Sequence, residues 1–325
     1  MREMTEIRLG ESIVGLKDNI VKTNILPRTS AELDRDINLQ GNVLVEGAVY
    51  ARNLIIDSGP AEFNGAVYAH NELHIKNDSR DTVFFKKAVA TNDSIVSLLI
   101  SGRCIYGADV NGNSVKLKNC FVCGSIFADE IQLENSVVLG GCFASKKISF
   151  QNIITGTFNA PEVSAGGVNY LLYPTAFSVE PIALLPGTEF YNITLADLGS
   201  LYKNEKARQC TGKIRLDMQA DSQRTVLVDD SDTKMLLHSY SVASRILVSD
   251  LLNLDSLENH FLIISASLGS QILKTYSLPR EDGGKSEDLT IPNIVNFFFK
   301  ILSGVVTIEE ISGSIPFDEL KKKYA

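Results

Sequence analysis

Between about residues 36 and 163 the chain repeats short runs of alternating apolar and polar positions, each run set off by turn residues. The clearest phrase is Gly47-Ala48-Val49-Tyr50-Ala51, which returns as Gly65-Ala66-Val67-Tyr68-Ala69. Weaker copies begin at Lys87, Arg103, Gly124, Gly141 and Gly156. A period of about eighteen residues, built from strand-like phrases, predicts a β-solenoid in which each repeat is one turn of a coil.

Read as columns, the copies predict which side chains meet. The third position holds Val49, Val67, Val89, Ile105, Ile126, Phe143 and Phe158. The second and fifth positions hold small residues, among them Ala48, Ala66, Ala51 and Ala69. Strand side chains alternate faces, so the third and fifth positions are predicted to point inward together. A second apolar column follows at Leu54 or Ile55, Leu73, Ile95, Val110, Ile131, Ile148 and Val163. The fourth position then faces outward and carries Tyr50, Tyr68, Tyr106 and Phe127. Four outward aromatics predict a contact stripe, covered either by another part of this chain or by another molecule. Phe158, near the last copy, is a candidate for an apolar stacking face at the C-terminal end of the coil.

The segment Asp36–Val163, opening with DINLQGNVLVEGAVYARNLII, resembles the bactofilins. That resemblance implies a right-handed parallel β-helix core, polymerisation without nucleotide by end-to-end stacking, and membrane attachment through a short N-terminal segment. The expected fold class is mainly β, a parallel β-helix with a C-terminal α+β domain, the latter because strands and helices follow there without βαβ regularity. Residues 1–30 are expected to cap the first turn or attach it to a membrane. Residues 31–165 form the solenoid, and residues 166–325 the second domain, after the Ser164-Ala165-Gly166-Gly167 boundary. In that domain, helices are expected near 194–207, 292–304 and 316–323. Strands are expected at 213–219, 225–228, 261–268 and 272–278.

Composition narrows the function. A net charge of −8 argues against nucleic acid as a partner, because phosphate binding needs a basic face. The apolar stretch Ile291–Leu302 contains Lys300 and is shorter than the roughly twenty residues a membrane span needs. Without an export signal, the five cysteines are expected as reduced thiols in a cytoplasmic protein.

Candidate chemistry is thin. Cys120, Cys123 and Cys142 lack a fourth ligand at zinc spacing, and cysteine in a small-residue column acts as a small hydrophobe. His70 and His74 on one strand stand about 13 Å apart, too far to share an ion. Gly283-Gly284-Lys285-Ser286 lacks the upstream glycine of a phosphate loop and is flanked by acidic residues. Asp229-Asp230-Ser231-Asp232 lacks the glycine and distal glutamate of a calcium loop. A hexapeptide-repeat acyltransferase would keep stricter spacing than these repeats do. The expectation is a protein without enzymatic activity, cofactor or metal. It is either a self-associating scaffold or an adaptor whose C-terminal domain caps the solenoid and binds another protein.

Overall fold

In a computed structural model the described residues are 1–5, 7, 11–29, 33–76, 80–171, 175–180 and 182–192, with short segments from residue 214 to 316. The fold is mainly β, a parallel β-solenoid of about nine turns. Two compact units divide the chain, Met1–Ser149 and Phe150–Ala325.

The first unit begins with β1 (Arg2–Met4), β2 (Ile13–Lys17), β3 (Asn19–Val21), β4 (Asp36–Gln40) and β5 (Val43–Val45). It continues through β6 (Val49–Ile56), β7 (Ala61–Phe63), β8 (Val67–Ile75), β9 (Thr82–Phe85) and β10 (Val89–Thr91). Then come β11 (Ser94–Leu98), β12 (Arg103–Tyr106), β13 (Val110–Lys118), β14 (Cys120–Val122) and the start of β15 (Ile126–Ala160). Every strand pairing described within this unit is parallel, and the strands stack as three walls.

The first wall carries the predicted column. Val49 pairs with Val67, Val67 with Val89, Val89 with Val110 and Val110 with Ile126. All five are buried, as are the small residues Ala51, Ala69 and Thr91 two positions on. The second wall stacks Val14, Ile37, Leu54, Leu73, Ile95, Val115 and Ile131. Val110 therefore belongs to the first column rather than the second, and Val115 takes the place expected for it.

The third wall has no counterpart in the repeat phrase. Val21, Val45, Phe63, Phe85, Tyr106 and Val122 stack along it, each buried. Phe63 and Phe85 lie nearly parallel with centroids 4.7 Å apart, and Phe85 and Tyr106 follow at 5.2 Å. This wall explains the irregular step at Arg103. The RCIYG phrase mimics the repeat, but it is β12 and pairs with β9 and β14. Ile105 consequently leaves the first column, where Val110 stands instead.

Two kinds of corner let the turns stack. Between the third and first walls, Gly65 sits over Gly47, and a Cβ on Gly65 would stand 2.3 Å from the Gly47 carbonyl oxygen. Backbone cannot swing aside as a side-chain tip can, so glycine is required for that approach. Between the second and third walls the backbone turns left-handed, at Asp18, Asn119 and Asn135 with φ of 52°, 56° and 44°. Asparagine and aspartate tolerate this region because their short polar side chains bond locally. Here they also ladder. Asn119 Nδ2 donates to the Leu99 carbonyl at 2.6 Å, and Asn135 Nδ2 donates to Asn119 Oδ1.

The parallel ladder reaches further along the sequence than the repeat phrase. Ile13, Leu16 and Ile20 have rough helical spacing, yet their segment forms β2 and β3. Val14 and Leu16 point inward from β2 and Ile13 points out, which is a period of two. Pairing with β4 and β5 decides the matter, since a strand on an existing ladder satisfies its backbone and buries its apolar face together.

The second unit contains the rest of β15, then β16 (Glu162–Gly166), β17 (Val168–Leu171), β18 (Thr175–Ser178), β19 (Ala183–Leu184) and β20 (Glu189–Asn192). Parallel pairing continues from β15 to β17 and β18, from β16 to β19, and from β17 to β20. The direction then reverses. β21 (Ile214–Arg215) runs antiparallel to β20, and β23 (Thr233–Ser241) runs antiparallel to β18. β22 (Gln223–Asp230) and β23 form a hairpin with Asp230 opposite Thr233. This agrees with the strand expected at 225–228.

The remaining strands pair antiparallel. β24 (Arg245–Ile246) pairs with β27 (Ile315–Pro316), and β25 (Ser277–Leu278) with β26 (Glu287–Asp288). Within the helix expected near 292–304, Val295, Asn296, Phe298, Phe299 and Leu302 are helical, and Ser303 donates to the Phe299 carbonyl at 2.9 Å. The expected helix at 194–207 and strand at 261–268 lie outside the described residues. So do most of 316–323 and the Gly283–Ser286 loop.

Candidate interaction surfaces

Three of the four aromatics expected to face outward, Tyr50, Tyr68 and Phe127, lie in one outward column of the first wall, which Ala90 and Asn111 interrupt. Ile25 bridges to Val49, which aligns the half-exposed Leu26 with Tyr50 in the outward column. Tyr50 pairs with Tyr68, Tyr68 with Ala90, Ala90 with Asn111 and Asn111 with Phe127. Tyr50 is 41% exposed and Phe127 43%. Phe127 stacks on Phe143 with centroids 5.2 Å apart, so Phe143 continues this outward column. By alternation the inward place next to it falls to Cys142, which is fully buried. Phe143 was expected inward. Tyr68 is anchored by its hydroxyl, which donates to Asn92 Oδ1 at 2.8 Å.

Tyr106 does not belong to the stripe. It points inward from the third wall onto Phe85, fully buried. Its local phrase looks like that of Tyr50, but the wall it lies on differs. Phe158 is also buried, with Phe150 edge-on at 5.5 Å. Its neighbours Asn159 and Ala160 pair with β18, so another strand lies over this segment and Phe158 is not in an exposed stacking face.

A second patch was not foreseen. On the third wall, the outward column pairs Phe84 with Ile105, Ile105 with Phe121, and Phe121 with Val137. Phe84 is half-buried, whereas Ile105, Phe121 and Val137 are buried although they face away from the coil's interior. The sequence signal was present: alternation stops at Cys120-Phe121-Val122-Cys123, where every residue is apolar. Such a run marks a strand buried on both faces.

The ends of the ladder also differ in their pairing. Among the described residues β2 pairs only with β4. In the second unit, β18 and β20 each carry an antiparallel strand as well as a parallel one.

The candidate chemical groups are held by structural bonds. His74 Nδ1 lies 3.1 Å from Glu72 Oε1, and His70 Nδ1 lies 3.1 Å from Asn92 Nδ2. Arg52 forms a two-pronged ion pair with Asp36 between the second-wall strands β4 and β6. The hydrogen bond from Arg52, opposed by partial burial, holds the Asp36 carboxyl below its ordinary value. Cys104 and Cys120 are register partners inside the third wall, and Cys120 Sγ lies 3.3 Å from Ser97 Oγ. Among the described residues no group of three or more His, Cys, Asp or Glu side chains could hold a metal ion. Among the same residues no helix is long and apolar enough to cross a membrane.

The thiols give a direct check on this packing. Burial pushes Cys104 well above the ordinary thiol value and Cys123 up to about 12. Only the thiolate attacks an alkylating reagent, and these groups are also shielded. Iodoacetamide at pH 8 is expected to leave Cys104, Cys120, Cys123 and Cys142 unmodified in native protein and to label all four after denaturation. Peptide mapping reads the result, and rapid native labelling of any of them would contradict this burial.

Fold and surfaces together define a parallel β-solenoid protein with exposed aromatics in one outward column and, among the described residues, one edge of β2 that no strand pairs. Compared with known protein families, curated proteins and solved structures, the chain matches none.

Proposed function

We propose that this protein is a non-enzymatic structural scaffold of bactofilin-like type, cytoplasmic, which associates with copies of itself through its solenoid. The observation that carries the reading is the outward stripe on the first wall. Leu26, Tyr50, Phe127 and Phe143 expose apolar surface in one outward column, interrupted at Ala90 and Asn111, where a soluble coil with no lateral partner would carry polar residues throughout. Aromatic side chains dominate the energy of such contacts. The family resemblance of residues 36–163 supports the same reading, and a membrane-facing role through the N-terminal segment would follow from it.

A double variant tests this. Tyr50→Ser with Phe127→Ser is expected to melt within a few degrees of wild type, because neither ring is in the core. Its association, read by light scattering after size exclusion and by negative-stain microscopy, is expected to weaken by about tenfold or more, in the range of paired hot spots. Unchanged association would remove the stripe from the argument.

One observation favours an adaptor instead. In the second unit the parallel strands β18 and β20 take antiparallel partners from the C-terminal segment, which is how a capping domain closes a ladder. On that reading the second unit recognises another protein, and the purified chain is a monodisperse particle.

A further inference from the structure

We propose that the edge of β2 that no described strand covers binds the β2 edge of a second copy of this chain, antiparallel and about a twofold axis through Gly15, so that association closes at a pair. This rests on the self-association reading above and names a contact apart from the stripe, at the β2 edge of the second wall, with its partner and register.

The backbone leads to this register. Asp36 donates its N–H to the Ser12 carbonyl at 2.9 Å. In a parallel ladder successive residues alternate in the neighbour they address, so Ser12, Val14 and Leu16 face β4 while Ile13, Gly15 and Lys17 face away. The Lys17 N–H fits this, since Asn19 Oδ1 accepts it at 2.7 Å in place of a neighbouring strand. Among the described residues the outward-directed groups of Ile13 and Gly15 meet no strand. An edge of this kind is a template for a further strand.

The side chains make the edge complementary to itself. With the axis at Gly15, Gly15 faces its own copy and the two exchange both backbone bonds. Ile13 then faces the Lys17 of the second copy, so the Ile13 N–H can donate to the carbonyl that Lys17 leaves free. Two lysines never stand opposite each other, which would be destabilising. On the inner face, Val14 and Leu16 would meet Leu16 and Val14 of the second copy, so the two apolar cores join.

The outward column of the second wall also changes character here. Its register partners Asp36, Asn53, Glu72, Ser94, Ser114 and Glu130 are all polar, whereas Ile13 at its end is apolar and 62% exposed. An antiparallel partner is one that this solenoid's strands accept, since β18 and β20 already hold one each. A twofold contact uses the same edge on both copies and is complete at two.

The test uses the full chain, with mass from light scattering and folding from circular dichroism. Wild type is expected at twice the monomer mass. Ile13→Lys places a lysine against Lys17 of the second copy and is expected to be monomeric with unchanged melting. Adding Lys17→Glu puts opposite charges face to face and is expected to restore the pair. Gly15→Pro removes an N–H that β4 does not use, and a Cβ there meets open space; it too is expected to be a folded monomer. In a Cys210→Ser background, Gly15→Cys is expected to form an interchain disulfide with oxidised glutathione. The roughly 5.5 Å between facing Cα atoms of a hydrogen-bonded antiparallel pair is within disulfide reach. This last measurement decides the matter even if the other variants fold poorly.

Wild type that stays monomeric at high concentration, with no crosslink, would overturn the pair and the self-association reading together. Association that survives Ile13→Lys and Gly15→Pro but is lost in the Tyr50→Ser, Phe127→Ser variant would overturn this interface and leave that reading standing. Pelleting filaments of wild type would overturn the closed pair alone.

Discussion

Val67→Asp is expected to lower stability by about 3–5 kcal/mol near pH 8, the cost of leaving a charge buried without a partner. Val67 lies between Val49 and Val89 in one inward column, and all three are buried. No cationic residue belongs to that column, so the carboxylate has no counter-charge there. The buried carboxyl will resist ionisation, which raises its folded value above the ordinary 3.9 or so. The sign follows. Such a group is least harmful where it is protonated in both states, below its unfolded value, and does the most damage above its folded value. The gap to wild type in urea midpoint should therefore narrow as pH falls from 8 toward 4. A variant that matches wild type at pH 8 would mean that this column does not face the core.

Phe85→Ala should cost about 3–5 kcal/mol, the range for emptying a large aromatic site. The ring is buried between Phe63 and Tyr106, with interplanar angles of 11° and 9° to them. Offset stacking adds roughly 0.5–1.5 kcal/mol beyond area alone. Each turn of a solenoid is buried only against its neighbours, so a gap in one layer weakens both adjacent interfaces. Phe85→Leu, which fills much of the space but loses the stack, should fall between wild type and the alanine variant. Urea unfolding followed by far-UV circular dichroism measures both. A loss under about 1 kcal/mol for Phe85→Ala, the size of an average substitution, would show that the third wall does not depend on this stack.

These variants fall on walls that differ in how visible they were. Val67 was assigned inward from the repeat phrase, because one period-two pattern returning at similar intervals admits only parallel stacking with that face in common. Ala51, Ala69, Leu73 and Ile95 followed from the same pattern, which left Leu54 and Ile55 as alternatives; pairing with Ile37 decides for Leu54. Phe85 was not assigned at all. Its wall lies four residues before the first column, at Val45, Phe63, Phe85, Tyr106 and Val122, and its phrases share little beyond an apolar residue at each place. The signal was a constant offset rather than a motif.

Of the interaction residues expected from the sequence, Tyr50, Tyr68 and Phe127 share an outward column. Tyr106 and Phe158 are interior. The phrase around Tyr106 alternates as the phrase around Tyr50 does, and alternation fixes only that neighbours face opposite ways. Which of the two faces is inside depends on the pairing partner, and β12 pairs with β9 where the repeat phrase would have had it follow β10.

The sequence by itself determined that this chain coils in parallel turns, since glycine corners, small columns and period-two runs are local requirements of that geometry. Tertiary structure alone decided the rest. It placed each run on one of three walls, and it buried Ile105, Phe121 and Val137 on an outward face. It also gave β18 and β20 antiparallel partners and, among the described residues, paired β2 with β4 alone. Those outcomes depend on long-range pairing and packing, which no local pattern of apolar and polar residues encodes.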